Sequence, residues 1–357
     1  MKMKKNFQAN GLATSVGSLP LRDHEKAVDL IFEYTPDIPS WAQLPIHREE
    51  GMMIQFAQGL PGLCSKDGDL FVKTDSDAFY DDLLEFFEDY MAVVEDRTTI
   101  EASRFTLKKN TARGFILFLE RLQKLSMTPV AVKGQITGPF TFCTGIVDQG
   151  KRAIFYEPQI KDAAVKLLAL KARWQVRQLS QFQKPVLMFF DEPALAGIGS
   201  SEFTSISNEE IDLCFEEVFE AVHLEGGLAG IHVCANTDWS LVLESKADVV
   251  SFDAYTYFDR FILYPDKIKR FLESGRILAW GIVPTSNIEA IKRETCASLL
   301  DQLEEKIGQI EALGIDKQML INQSLITPSC GAGSLSVDLA QKVLKLTREV
   351  SQEIRNL

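Results

Sequence analysis

Hydrophobic and polar positions along the chain fall into two alternating kinds of segment. Short, mostly apolar runs bounded by glycine, proline or polar clusters read as buried strands. They are residues 13–18 (ATSVGS), 40–44 (SWAQL), 129–135 (PVAVKGQ), 185–191 (PVLMFFD), 228–233 (LAGIHV), 248–253 (DVVSFD), 276–282 (RILAWGI) and 318–324 (QMLINQS). Longer stretches with apolar residues at helical spacing lie between them. In residues 23–34, Ala27, Leu30, Ile31 and Tyr34 share one helical face, and residues 160–182 form a long amphipathic run. Residues 207–226 open with Ser207 and Glu210 in capping-box spacing and stop at Gly226-Gly227. Helical stretches 286–314 and 336–357 follow.

Alternation of this kind builds a parallel sheet, and about eight strands is the number that closes a (β/α)8 TIM barrel. The expectation is an α/β protein with one barrel domain over residues 1–357. No long linker, low-complexity segment or clear internal repeat interrupts it. Residues 50–128 separate the second and third strands. They are predicted to carry a hairpin around GDLFVKT and two helices, as an insertion on the barrel.

Composition narrows the function. The chain has 357 residues, 46% hydrophobic and 25% charged, enough for a large core. A formal net charge of -12 argues against nucleic acid and anionic membranes as partners. No apolar run reaches the ~20 residues that span a bilayer. The opening MKMKKNFQANG is basic, but no apolar signal core follows it. A cytoplasmic location is expected, with Cys64, Cys143, Cys214, Cys234, Cys296 and Cys330 as reduced thiols that can serve as ligands.

The strand ends carry the candidate chemistry. In IHVCANTDW, His232 and Cys234 are two apart and face the same side if the strand continues. At the C-terminal end of a barrel strand both would sit at the mouth, where barrel active sites are built. Asp253 ends the next strand, and Cys330 lies in a loop shaped by Pro328, Gly331 and Gly333. His232, Cys234 and Cys330 make an N/S2 donor set, with Asp253 as a possible oxygen ligand. Three protein ligands and one exchangeable position is the pattern of catalytic zinc. The strand before His232 ends in Asp191-Glu192-Pro193. Either these carboxylates are solvated at a strand end, or Asp191 points into the mouth and binds a substrate ammonium, with Glu192 beside it. Backbone N–H groups at Gly17-Ser18 suit a carboxylate. Gly134, Gly138 and Pro139 form a second strand-end loop open to a ligand.

Taken in order, TSVGSLP, GQITGPFTF, FFDEPAL, HVC and TPSCG resemble the catalytic, C-terminal barrel of cobalamin-independent methionine synthase, within the uroporphyrinogen decarboxylase-like superfamily. The resemblance runs from about residue 11 to 340, in a short, single-barrel form. It implies a zinc-dependent methyl transfer to a thiol, with homocysteine, giving methionine, as the favoured acceptor. It places the zinc ligands on His232, Cys234, Asp253 and Cys330, the group that holds the substrate amine on Asp191, and the carboxylate contact on Gly17 and Ser18. The chain also departs from the family. Asp253 stands where glutamate is usual. The folate-stacking tryptophan is replaced within Phe140-Thr141-Phe142-Cys143, and WGIVPTS lacks the catalytic histidine. These departures, with no second barrel, point to a methyl-corrinoid on a separate protein as donor rather than methyl-folate. Rival readings are a coenzyme M-type or other thiol methyltransferase, a uroporphyrinogen decarboxylase-like lyase, and a non-catalytic corrinoid- or zinc-binding barrel. The lyase should carry an arginine-rich N-terminal motif, and only Arg22 lies near GSLPLRD.

Overall fold

The computed structural model describes residues 7–66, 68–125, 128–199 and 203–356. Seven strands form one parallel sheet: β1 (Leu12–Ala13), β2 (Val132–Thr137), β3 (Val186–Asp191), β4 (Leu228–Val233), β5 (Val249–Phe252), β6 (Ile277–Val283) and β7 (Ser324–Pro328). Their order across the sheet is β1-β7-β6-β5-β4-β3-β2. The sheet curls, so its edges β1 and β2 approach each other. Residues 40–43 lie between them, held by single bridges, Ser40 to Lys133 and Gln43 to Ser18, rather than by a ladder. Pro39 and Pro45 bracket this segment, and neither can donate to a ladder. The expected second strand is therefore extended chain, and the described sheet has seven strands where eight were expected.

Two other boundaries differ from expectation. The strand expected over 13–18 reduces to Leu12–Ala13, because the chain turns at Gly17, with φ 140°. The run expected as a strand over 318–324 is instead helix Lys317–Asn322, whose first turn is capped by the Asp316 carboxylate accepting from the Met319 N–H. The strand follows it, as Ser324–Pro328. An apolar triplet such as Met319-Leu320-Ile321 fits either element, and the cap decides.

The helices expected over 23–34 and 160–182 are His24–Tyr34 and Pro158–Ser180. The Ser207–Glu210 capping box forms and starts helix Asn208–Leu224. The stretch 286–314 breaks at Thr295, which caps a second helix, Cys296–Glu311. Residues 50–128 hold an antiparallel hairpin, Leu63–Lys66 with Asp69–Val72, and helices Asp77–Val94 and Arg113–Gln123. Among the described residues no helix is long and apolar enough to cross a membrane.

Strand alternation sorts the side chains into two layers. Outward residues such as Met188, Phe190, Ile231, Trp280 and Ile326 pack against the helices in the main core. Inward residues Leu12, Leu187, Phe189, Val249, Ile277 and Leu325 form a second, smaller core on the inside of the sheet. Nearer the C-terminal ends of the strands the inward positions turn polar: Asp191, His232, Ser251 and Thr327 are all buried. The fold thus sets an apolar floor beneath a polar mouth.

Candidate metal centre

One register row places the site. Thr137 pairs with Asp191, Asp191 with His232, and His232 with Ser251, so four polar side chains stand side by side on adjacent strands. His232 is 3% exposed. Its Nδ1 shares a 2.9 Å hydrogen bond with the Ser251 hydroxyl, while Nε2 is buried with no partner. When Nδ1–H donates to Ser251, the Nε2 lone pair is left for an acceptor such as a metal ion.

Two sulfurs that could share such an ion lie beside it. Cys234 follows β4 by one residue, and Cys330 sits two residues beyond β7. Donor atoms of His232, Cys234 and Cys330 all lie within 4.8 Å of one another. Bonds of about 2.0–2.3 Å to one zinc ion impose separations of this order. All six cysteines are free thiols. The Cys234 thiol is held well below the usual thiol range, chiefly by a hydrogen bond from Cys330 and then by His232. Cys330, as the donor in that pair, is raised. The orphaned imidazole nitrogen and the paired sulfurs fit a zinc ion.

The other expected site residues divide. Asp191 joins the trio at a cavity of about 280 Å³, also lined by Ser18, Gln43, Glu50, Met52, Thr137 and Gly331. Its Oδ1 is buried without a partner, and burial raises its pKa to about 6 against the opposing pull of His232 and Lys133. Ser18 borders the cavity, and Gly17 precedes it. A Cβ on Gly17 would come within 2.6 Å of the Gln135 amide, at a φ that side chains rarely adopt. Asp253 is not part of the trio's cluster. It caps helix Ala254–Phe261, accepting from the Thr256 N–H at 2.8 Å, and burial raises its pKa to about 6.

Glu192 has a different set of partners from the one expected. It is fully buried and accepts from the Phe140 N–H at 2.9 Å, the Thr141 N–H at 2.7 Å and the Thr141 hydroxyl at 2.6 Å. It therefore ties β3 to the first turn of helix Pro139–Gly145. Burial still raises its pKa to about 7, against those hydrogen bonds. Gly138 makes the contact possible, since a Cβ there would fall 2.3 Å from the Glu192 carboxyl. Phe140, Phe142 and Cys143 are wholly buried in the same helix.

Sequence reading missed Gln43, Glu50, Met52 and Thr137 as lining groups, and Lys133 below them. Only Lys133 carried a signal, as the one charge inside an apolar strand run.

No family model matches the chain, and no curated relative matches it. Solved structures do resemble it. A B12-independent methionine synthase from Shewanella sp. W3-18-1, in complex with selenomethionine, superposes with a TM-score of 0.53 at 14% identity, over 97% of this chain and 98% of that one. A candidate vitamin-B12-independent methionine synthase from Listeria monocytogenes gives 0.51 at 11% identity, over 93% of this chain and 86% of that one. The likeness is one of fold: an α/β protein built on a curled parallel sheet.

Proposed function

We propose that this chain is a zinc-dependent methyltransferase that moves a methyl group to a thiol, with homocysteine as acceptor and methionine as product. The observation that carries the reading is the convergence of His232 Nε2 and the sulfurs of Cys234 and Cys330 beside Asp191 at one cavity. The fold likeness to methionine synthases supports it. On this reading the curled sheet, with residues 40–43, is a (β/α)8 barrel working in the cytoplasm.

His232, Cys234 and Cys330 would hold the zinc, Ser251 fixing the imidazole. When bound, zinc supplies the chemistry that turns the substrate thiol, weakly acidic at a pKa of ~8.5, into a nucleophilic thiolate at neutral pH. Asp191, buried and unpartnered at Oδ1, receives the substrate ammonium. Ser18 and the adjoining Gly17 receive the carboxylate. Held at both ends, the substrate presents its sulfur toward the cavity opening in an orientation fit for in-line attack on a methyl carbon. The donor on this reading is a methyl-corrinoid brought by a separate protein; the burial of Phe140, Phe142 and Cys143 away from the cavity supports a donor other than methyl-folate.

The test is to incubate zinc-loaded protein with methylcobalamin and a panel of thiols, following demethylation by absorbance. Methionine formation from homocysteine is the expected result. Demethylation with coenzyme M alone would move the acceptor, and none with any thiol would refute the reading.

A further inference from the structure

Strand β2 brings into the sheet interior one charge that the proposed chemistry leaves unassigned. Lys133 is 2% exposed. Its backbone pairs with Leu187, four positions before Asp191 along β3, so it starts level with the apolar floor. The side chain reaches Phe189, with Nζ 4.8 Å from the ring centroid, and donates to the Val16 carbonyl at 2.8 Å and to Gln135 Oε1 at 3.3 Å. Both acceptors are neutral. A buried ammonium so placed is costly unless an anion lies near. Burial lowers its pKa to about 8, and the Asp191 carboxylate opposes that shift. Lys133 and Asp191 also line one small chamber of about 10 Å³ with Thr14, Ser251 and Thr327. That is room for a single water.

The second contact matters as much. Val16 directly precedes Gly17-Ser18, so the ammonium that lies in the field of Asp191 also grips the segment assigned to the substrate carboxylate. Gln135 extends the tie, donating to the Trp41 carbonyl at 2.7 Å and to Gln43, a cavity-lining residue, at 3.3 Å.

We propose that Lys133 is a positioning residue for amino-acid recognition: one buried cation anchors the Val16–Ser18 segment and supplies the counter-charge of Asp191. The inference rests on the amino-acid-thiol reading above. It predicts that a thiol lacking both α-amino and carboxyl groups gains nothing from Lys133.

The experiment uses zinc-loaded wild type, Lys133→Met and Lys133→Arg. It measures zinc content, calorimetric binding of methionine, and kinetics with homocysteine and with 2-mercaptoethanol. For Lys133→Met, zinc content stays unchanged. Methionine affinity falls and homocysteine KM rises by about tenfold or more, the worth of one charge-assisted contact, while kcat stays within about threefold. Kinetics with 2-mercaptoethanol hold, and Lys133→Arg, which keeps the charge, recovers part of the loss. Unchanged methionine binding and homocysteine KM would overturn the inference alone. Equal loss with both thiols, or loss of zinc, would overturn it by showing a merely structural role. A wild type that binds neither homocysteine nor methionine would overturn the substrate reading itself, and this inference with it.

Discussion

Lys171 offers a sharp test of the packing between residues 50–128 and the rest of the fold. It lies in helix Pro158–Ser180 and is 1% exposed. Its Nζ donates to the Gln58 carbonyl at 2.6 Å. Burial, reinforced by the nearby Lys108 charge, lowers its pKa from 10.5 to about 7. The folded value lies below the unfolded one, so between about 7 and 10.5 the unfolded chain binds the extra proton and stability rises with pH. The penalty is complete below about pH 7. At 1.36 kcal/mol per unit the full shift is worth about 5 kcal/mol, of which about 4 remains at pH 7 and about 2 at pH 9.

Lys171→Met removes the titrating group and keeps an unbranched stem of similar length. The Gln58 carbonyl loses its donor, at a cost of about 1–3 kcal/mol. At pH 7 the variant is therefore expected to equal or exceed wild type in stability. Its advantage should shrink by about 2 kcal/mol on going to pH 9. Urea unfolding of both proteins at pH 7, 8 and 9 and constant ionic strength measures the gap. All titrations common to the two proteins cancel in that difference. A gap that does not change with pH would refute the reasoning, since Lys171 would then keep its ordinary pKa inside the fold.

Three further outcomes bear on the site. Cys330→Ser should leave less than about one-fifth of the zinc of wild type after dialysis, measured by atomic emission; full retention would break up the trio. Ser251→Ala removes the partner of His232 Nδ1 and should weaken zinc affinity about 10–100-fold in a chelator competition, and unchanged affinity would mean that packing alone orients the ring. Asp253→Ala should cost about 1 kcal/mol as a lost helix cap and leave zinc content intact; loss of metal would instead make Asp253 a ligand.

The sequence made the strand–helix alternation and the pairing of His232 with Cys234 legible for one reason. Both are written in short-range periodicity: apolar runs for strands, and a two-residue spacing that puts His232 and Cys234 on one side of β4. Cys330 was readable because glycine and proline mark its loop. What failed depended on long-range partners. Glu192 reads like Asp191 in DEPAL, yet one carboxylate lines the cavity and the other is wholly buried against Thr141, a contact made across 51 positions of sequence. Strand alternation separates neighbours, but only the tertiary fold says what each face meets. The helix at Lys317–Asn322 was lost to a triplet compatible with two periods, although Asp316 offered a cap signal. Lys133 was visible as a charge in an apolar run, but its meaning needed Val16, 117 positions away.

The loop that carries Cys330 also ties the proposed recognition and the proposed chemistry into one frame. The Ala332 N–H donates to the Ser18 carbonyl at 3.0 Å, and the Gly333 N–H to the Ser18 hydroxyl at 3.3 Å. A Cβ on Gly331 would lie 2.0 Å from that same hydroxyl, so the two segments are in close contact at Gly331. At its other side the loop is fixed by the Ser329 hydroxyl, which accepts from the Thr285 N–H at 3.1 Å. On the proposed reading, one of the three residues that would hold zinc is thus mechanically continuous with the residue assigned to the substrate carboxylate. If a substrate is held at Ser18 and Asp191 as proposed, its sulfur would lie at a distance set by the protein rather than by its own flexibility. Misplacement of a reacting group by about 1 Å can cost about 10²-fold in rate, so on the proposed reading the site would select for chain length between the amino-acid head and the sulfur.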